Sequence, residues 1–203
     1  ANINVTYGDG TFTNTLTNSG TSVGTGAGTV TYASSIPSVA SVNETTGLVT
    51  VGNVGTTTIT ATVVDGANYT YAVKEISYTV NVARKQVAVP ASPVATFDFT
   101  GNVIAHGFTA PTGSSIVPAG TVASATNAGT YNIILAVDSN HIWKKADSST
   151  STENQTVTWK INQRNINLTN IVGLTAQTYT GSALTPSYTV QDSTPSDPTE
   201  LVL

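Results

Sequence analysis

Short runs in which apolar and polar residues alternate follow one another along most of this chain, and Gly, Asn, Asp and Pro stand between them. A period of two puts successive side chains on opposite faces of an extended strand, whereas a helix needs a period near 3.6. The pattern predicts an all-β chain. Across residues 56–64, Ile59, Ala61 and Val63 are set to face inward and Thr58, Thr60 and Thr62 to face water. The same alternation returns in Ile76, Tyr78, Val80 and Val82, and again in Val157, Trp159 and Ile161.

These segments repeat. Residues 78–82 align with 157–161 at an offset of 79, Arg84-Lys85 is echoed by Gln163-Arg164, and Val87 and Val89 by Ile166 and Leu168. Gly55-Thr56, ahead of one long strand, is matched at an offset of 74 by Gly129-Thr130 ahead of Tyr131, Ile133, Leu135 and Val137. Phe99-Thr100-Gly101 comes back 80 positions later as Tyr179-Thr180-Gly181. Self-similarity at ~75–80 residues marks a tandem array. We expect one domain over 1–84, a second over 85–164, and a third, truncated repeat over 165–203, too short to close its own core and left with unpaired strand edges. Linkers this short predict units arranged end to end as a rod.

Composition narrows the function. Charged residues are only 9% of the chain, against about 25% in ordinary soluble domains, and Thr, Ser, Asn and Gly take their place. Disordered chains carry more charge and fewer β-branched residues. The net charge of -4 comes from 11 acids and 7 bases with no basic run, so nucleic acid is not an expected partner. The absence of cysteine excludes a disulfide framework or a thiolate metal site. No stretch approaches the ~20 apolar residues that cross a bilayer, so no membrane insertion is expected within this segment. From Ala1 onward there is no charged and apolar leader; a signal or anchor is expected outside these residues.

Candidate chemistry is sparse. His106 and His141 fall in different turns of the second repeat, without an Asp-x-His or His-x-x-His spacing, and read as loop histidines. The Gly-rich stretch 20–28 contains the spacing Gly20-x-Ser22-x-Gly24, but neither a helical pattern nor the Lys-Ser/Thr of a phosphate loop follows it, so it reads as a loop and supports neither a hydrolase elbow nor a phosphate site. Asp9, Asp65, Asp138 and Asp147 read as turn formers rather than paired catalytic carboxylates. A calcium ion held by loop acids where two domains meet is the less favoured alternative, because no Asp-x-Asp-x-Asp loop is present. No catalytic residue, cofactor or metal ligand is therefore assigned. Among the aromatics, Trp159 alternates with Val157 and Ile161 and belongs to a core. Trp143, beside Lys144 and Lys145, is expected to be partly exposed, either as a lid over an open sandwich end or, less favoured, as a ligand contact. Tyr131 follows a tight turn at 127–130 and is placed to reach a backbone partner through its hydroxyl.

Residues 30–35 (Val-Thr-Tyr-Ala-Ser-Ser), 38–43 (Ser-Val-Ala-Ser-Val-Asn), 46–51 (Thr-Gly-Leu-Val-Thr-Val) and 55–61 (Gly-Thr-Thr-Thr-Ile-Thr-Ala) together resemble the bacterial Ig-like domain, group 2, over roughly 25–83. The Thr- and Gly-rich opening before residue 30 and the loop 65–69 depart from that pattern. Residues 87–90, 97–101, 125–131, Trp143 and 157–162 are similar to a second type of Ig-like repeat found in bacterial surface proteins and adhesins. The resemblance implies tandem immunoglobulin-like β-sandwiches of a secreted, extracellular or cell-surface protein. They would act as non-catalytic spacers or stalk modules whose partners are neighbouring Ig-like domains; the alternative is an adhesin module for cell adhesion, binding a host glycan or protein through loops or strand edges. Some such domains carry an internal Lys to Asn amide formed beside a buried acid, and on position alone Lys85, Asn162 and Asp98 are the residues that could form one.

Overall fold

The computed structural model describes residues 1–14 and 25–165, the backbone of strands 168–172, 189–192 and 200–202, and residues 176, 178 and 181–183. Every regular element among the described residues is a strand. The chain divides into two compact units: residues 1–90, 109–119 and 134–156 form the first, and 91–108, 120–133 and 157–203 the second.

The first unit opens with seven strands: β1 (Asn2–Thr6), β2 (Thr11–Thr13), β3 (Val30–Ser34), β4 (Ala40–Val42), β5 (Leu48–Val51), β6 (Gly55–Val63) and β7 (Glu75–Ala83). They form two sheets, ordered β1-β7-β6-β3 and β2-β5-β4. β1 lies parallel to β7, with Asn2 opposite Thr79 and Thr6 opposite Ala83, while the other pairs are antiparallel. Seven short strands in two sheets, joined by crossovers, make an immunoglobulin-like sandwich in which the first strand has moved to the sheet of the last.

The alternation read from the sequence supplies the core. Val39, Ala40, Val49, Ile59, Tyr78, Val80 and Val82 form one buried cluster, with Ile3, Val5, Phe12 and Val42 among the residues packed against it. Full burial of side chains such as Ile59 and Val80 contributes about 1.5–3 kcal/mol each. The cluster stops at Ile59 on β6 and Tyr78 on β7. Beyond it Ile76 is 56% exposed and Val63 only half-buried: alternation gives both the core-facing parity, but the strands run on past the core that covers their middle. Thr57 is the one buried polar residue of β6. Its hydroxyl receives the Ile36 N–H at 2.9 Å and lies 3.1 Å from both the Ser34 and Ser35 hydroxyls. At Thr46-Gly47 the expected turn joins β4 to β5: Asn43 Oδ1 accepts from the Thr45 and Thr46 N–H groups, and Gly47 takes φ 69°, with no room for a Cβ against the Tyr32 ring.

Nine more strands lie between residues 85 and 162: β8 (Lys85–Ala88), β9 (Thr96–Asp98), β10 (Ile104–Ala105), β11 (Ser114–Val117), β12 (Ser124–Ala125), β13 (Gly129–Val137), β14 (His141–Lys144), β15 (Thr150–Ser151) and β16 (Gln155–Asn162). In the first unit β14 pairs in parallel with β8 and antiparallel with β15, and β11 pairs with residues 134–137 of β13. In the second, β16 lies parallel to β9 and β10 pairs with β12. β6 and β13 are both nine-residue strands opened by Gly-Thr. The connections at their C-terminal ends differ. The chain leaves β6 through a loop in which Asp65 accepts from the Tyr71 N–H at 2.9 Å and pairs with Lys74 at 2.6 Å; after β13 it makes the β14–β15 hairpin. This longer connection is why the offset grows from 74 to 79.

Trp159 anchors the second unit. It is fully buried, its ring meets Tyr131 at 4.9 Å and Phe97 and His106 at 6.1 Å, and its Nε1–H donates to the Val122 carbonyl at 2.9 Å. The Tyr131 hydroxyl donates to the Asn127 carbonyl at 2.6 Å, pinning the turn that feeds β13, as expected from sequence. Three further strands, β17 (Leu168–Val172), β18 (Thr189–Asp192) and β19 (Glu200–Val202), form an antiparallel sheet. The side chains of Ile166 and Leu168, the pair Tyr179-Thr180, and residues 20–24 of the Gly-rich stretch lie outside the described residues.

Candidate functional site

A dense polar arrangement in the first unit is built on residues 138–141, the turn between β13 and β14. Its geometry is local. Asp138 Oδ1 accepts from the Asn140 N–H at 2.9 Å, the His141 N–H donates to the Asp138 carbonyl at 3.2 Å, and Asp138 Oδ1 lies 2.6 Å from His141 Nδ1. An Asp that binds the backbone two residues on makes an Asx turn. An ionised carboxylate can only accept, so Nδ1 carries the hydrogen. The hydrogen bond from His141 is the main reason the Asp138 carboxyl sits below its ordinary value of 3.8.

The turn also reaches across the unit. The Asn140 amide bridges two neighbours: its Oδ1 accepts from the Val54 N–H at 2.9 Å, and its Nδ2 donates to Asn53 Oδ1 at 3.0 Å. The Asn140 carbonyl accepts from the Lys85 N–H at 3.0 Å, and the Ser139 carbonyl from Arg84 Nε at 3.2 Å. His141 then turns inward. It is 7% exposed and meets the Tyr7 ring edge-on, with centroids 5.3 Å apart. Gly113, at φ 85°, passes so close to this imidazole that any Cβ there would overlap it. Asn53, Val54, Arg84 and Tyr7 stand at one end of the seven-strand sandwich, so the turn closes that end.

Several expectations change here. His141 is not a loop histidine but the buried first residue of β14, fixed by an acid three residues earlier. His106 does sit in a loop, accepting the Phe108 N–H at Nδ1. Trp143 is not partly exposed. It is 0% exposed, because β14 alternates and places His141 and Trp143 inward and Lys144 outward; a ring so enclosed offers no face to a ligand arriving from solvent. Among the described residues its buried Nε1–H has no hydrogen-bond partner. Of the candidate amide-bond residues, Asn162 Nδ2 donates to Asp98 Oδ1 at 3.2 Å. Asp98 is exposed and so lacks the buried setting the bond formation needs, while the Lys85 ammonium lies beside Gly8. Asp9, Asp65, Asp138 and Asp147 each accept backbone N–H groups within their own turns. Among the described residues no three His, Cys, Asp or Glu side chains gather as a metal site.

Asn140 and Asn53 escaped the sequence reading. The available signal was the tetrapeptide Asn53-Val54-Gly55-Thr56, repeated as Asn127-Ala128-Gly129-Thr130, together with the Asp-x-Asn spacing of an Asx turn.

No curated protein matches the chain. A solved structure of the surface layer protein SbsC, domains 1-6, is 14% identical over 86% of this chain and 32% of its own, with a TM-score of 0.24. Drosophila N-cadherin EC1-4 is 10% identical over 68% of this chain and 42% of its own, with a TM-score of 0.19. The chain thus spans about a third of the first structure and less than half of the second. A family model reaches further back than the 25–83 suggested by the motifs and takes in the Thr- and Gly-rich opening: residues 4–74, from within β1 to the end of the loop that leads into β7, match the bacterial Ig-like domain (group 2).

Proposed function

We propose that this chain is a non-catalytic spacer or stalk segment of a bacterial cell-surface protein, with Ig-like repeats over 1–84 and 85–164, the second of a different type, and another beginning at 165. Its partners are neighbouring repeats of the same parent protein. The observation that carries this reading is the Asn140 joint. The end of the seven-strand sandwich, where an adhesin would present its loops, is taken up by hydrogen bonds to the turn 138–141. The family match over 4–74 and the surface of Thr, Ser and Asn in place of charge support a location outside the cell.

A glycan and protein array probed with the full chain tests this. A spacer gives no specific, saturable signal. Reproducible binding to one glycan or protein, competed by the unlabelled chain, would instead make the segment an adhesin module acting through loops or strand edges.

A further inference from the structure

The Asn140 joint has a counterpart in the second unit. Asn53-Val54-Gly55-Thr56, whose first two residues hold the Asn140 amide, recur 74 positions on as Asn127-Ala128-Gly129-Thr130. Arg84 and Lys85, which donate to the Ser139 and Asn140 carbonyls, recur at an offset of 79 as Gln163 and Arg164. Gly55 lies opposite Val82 in the sheet, and the same two offsets bring Gly129 beside Ile161. Both border one recess of about 270 Å³, lined by residues 128–130 and 160–163. Where the first set of these residues grips an asparagine, Ala128, Gly129, Thr130 and Gln163 of the second set border, among the described residues, an open space, with Asn127 next to it in the chain.

We propose that this recess is a second socket, and that it receives an asparagine-bearing Asx turn of the Asp-Ser-Asn-His kind from a following repeat of the parent protein. The inference rests on the reading of the chain as jointed repeats. The chemistry is that of the first joint. The incoming Asn Oδ1 accepts from the Ala128 N–H and its Nδ2 donates to Asn127 Oδ1, as Asn140 does with Val54 and Asn53. Gln163 replaces Arg84 as the donor to a turn carbonyl, keeping an N–H while dropping the charge, so a neutral carbonyl stays a fitting partner and an anion does not. Three identities in a four-residue segment, a chemically similar pair at its own offset and an open volume beside both all point to the same occupant.

The full chain, labelled with ¹⁵N, would be titrated with a cyclised peptide of residues 136–144. Saturable shifts confined to Ala128, Gly129 and Gln163 are expected, half-complete on the order of 1–10 mM, enough for a contact that short linkers hold at millimolar effective concentration. The peptide carrying Asn140→Ala should bind at least tenfold more weakly, as should the wild-type peptide to the Gln163→Ala chain. No saturable shift, equal shifts from both peptides, or shifts centred elsewhere would overturn the second socket. Asn140→Ala in the full chain separates the two readings. If it leaves the Asn53 and Val54 resonances and the melting temperature unchanged, the joint itself is wrong; if it perturbs them while the peptide fails to bind, only the second socket is lost.

Discussion

Thr57→Val isolates a single buried hydroxyl, because the exchange keeps the side-chain shape and removes one oxygen. The protons at this site can be assigned by elimination. Ser34 Oγ donates to the Ala40 carbonyl at 2.6 Å, so toward Thr57 it can only accept. Ser35 Oγ already accepts from the Thr58 N–H at 3.0 Å, leaving its hydrogen for Thr57. The Ile36 N–H is a donor by nature. Thr57 therefore gives one hydrogen bond and receives two, the full capacity of a hydroxyl. Valine abolishes all three. Ser35 is exposed and its hydroxyl turns to water, so most of the cost falls on the Ile36 N–H and the Thr57 to Ser34 bond. Both bonds are part-buried; an unsatisfied group there costs about 1–3 kcal/mol, and we expect a net loss of about 2 kcal/mol, read as a melting temperature lower by roughly 5–10 °C. Thr57→Ser keeps the hydroxyl and gives up a methyl, costing about 1 kcal/mol. Thermal unfolding followed by circular dichroism ranks the three proteins. If Thr57→Val melts with the wild type, or above Thr57→Ser, the hydroxyl does not hold the β3–β4 connection to β6 and the assignment is wrong.

Tyr131→Phe removes the 2.6 Å bond to the Asn127 carbonyl and should cost about 1 kcal/mol, seen as a lower urea midpoint with an unchanged slope. Acid should destabilise the protein through Asp65, Asp138 and Asp147, whose carboxyls are all held below 3.8 by hydrogen bonds in their own turns, from Lys74, His141 and Ser149 respectively. A depressed folded-state value means the unfolded chain takes up protons first as pH falls. Their contribution is complete above about pH 5, shrinks as pH drops past the unfolded value, and is gone once it has passed through the folded values. A melting temperature that stays flat from pH 5 to pH 2.5, or an Asp138→Asn variant with the same acid dependence as the wild type, would count against this.

The sequence by itself determined the fold class and most of the core, because a period of two leaves each strand one face to bury. Val80, Val82, Ile133, Leu135, Val157, Trp159 and Ile161 are all buried, as their alternation requires. It also contained the repeat, and with it the Gly-Thr openings of β6 and β13. Tertiary structure decided what alternation cannot encode. Ile76 keeps the right parity yet stands in solvent, since parity selects a face of the sheet and not whether another layer covers it. Trp143 sits next to two lysines and is nevertheless enclosed, because neighbours along a strand point to opposite sides. The joint depended on folding most of all. Asn53, Arg84, Asn140 and Tyr7 are ordinary surface residue types far apart in the chain; the hydrogen bonds of the first three and the ring contact of Tyr7 with His141 exist only once β8 and β14 have paired and brought the turn 138–141 against the end of the first sandwich.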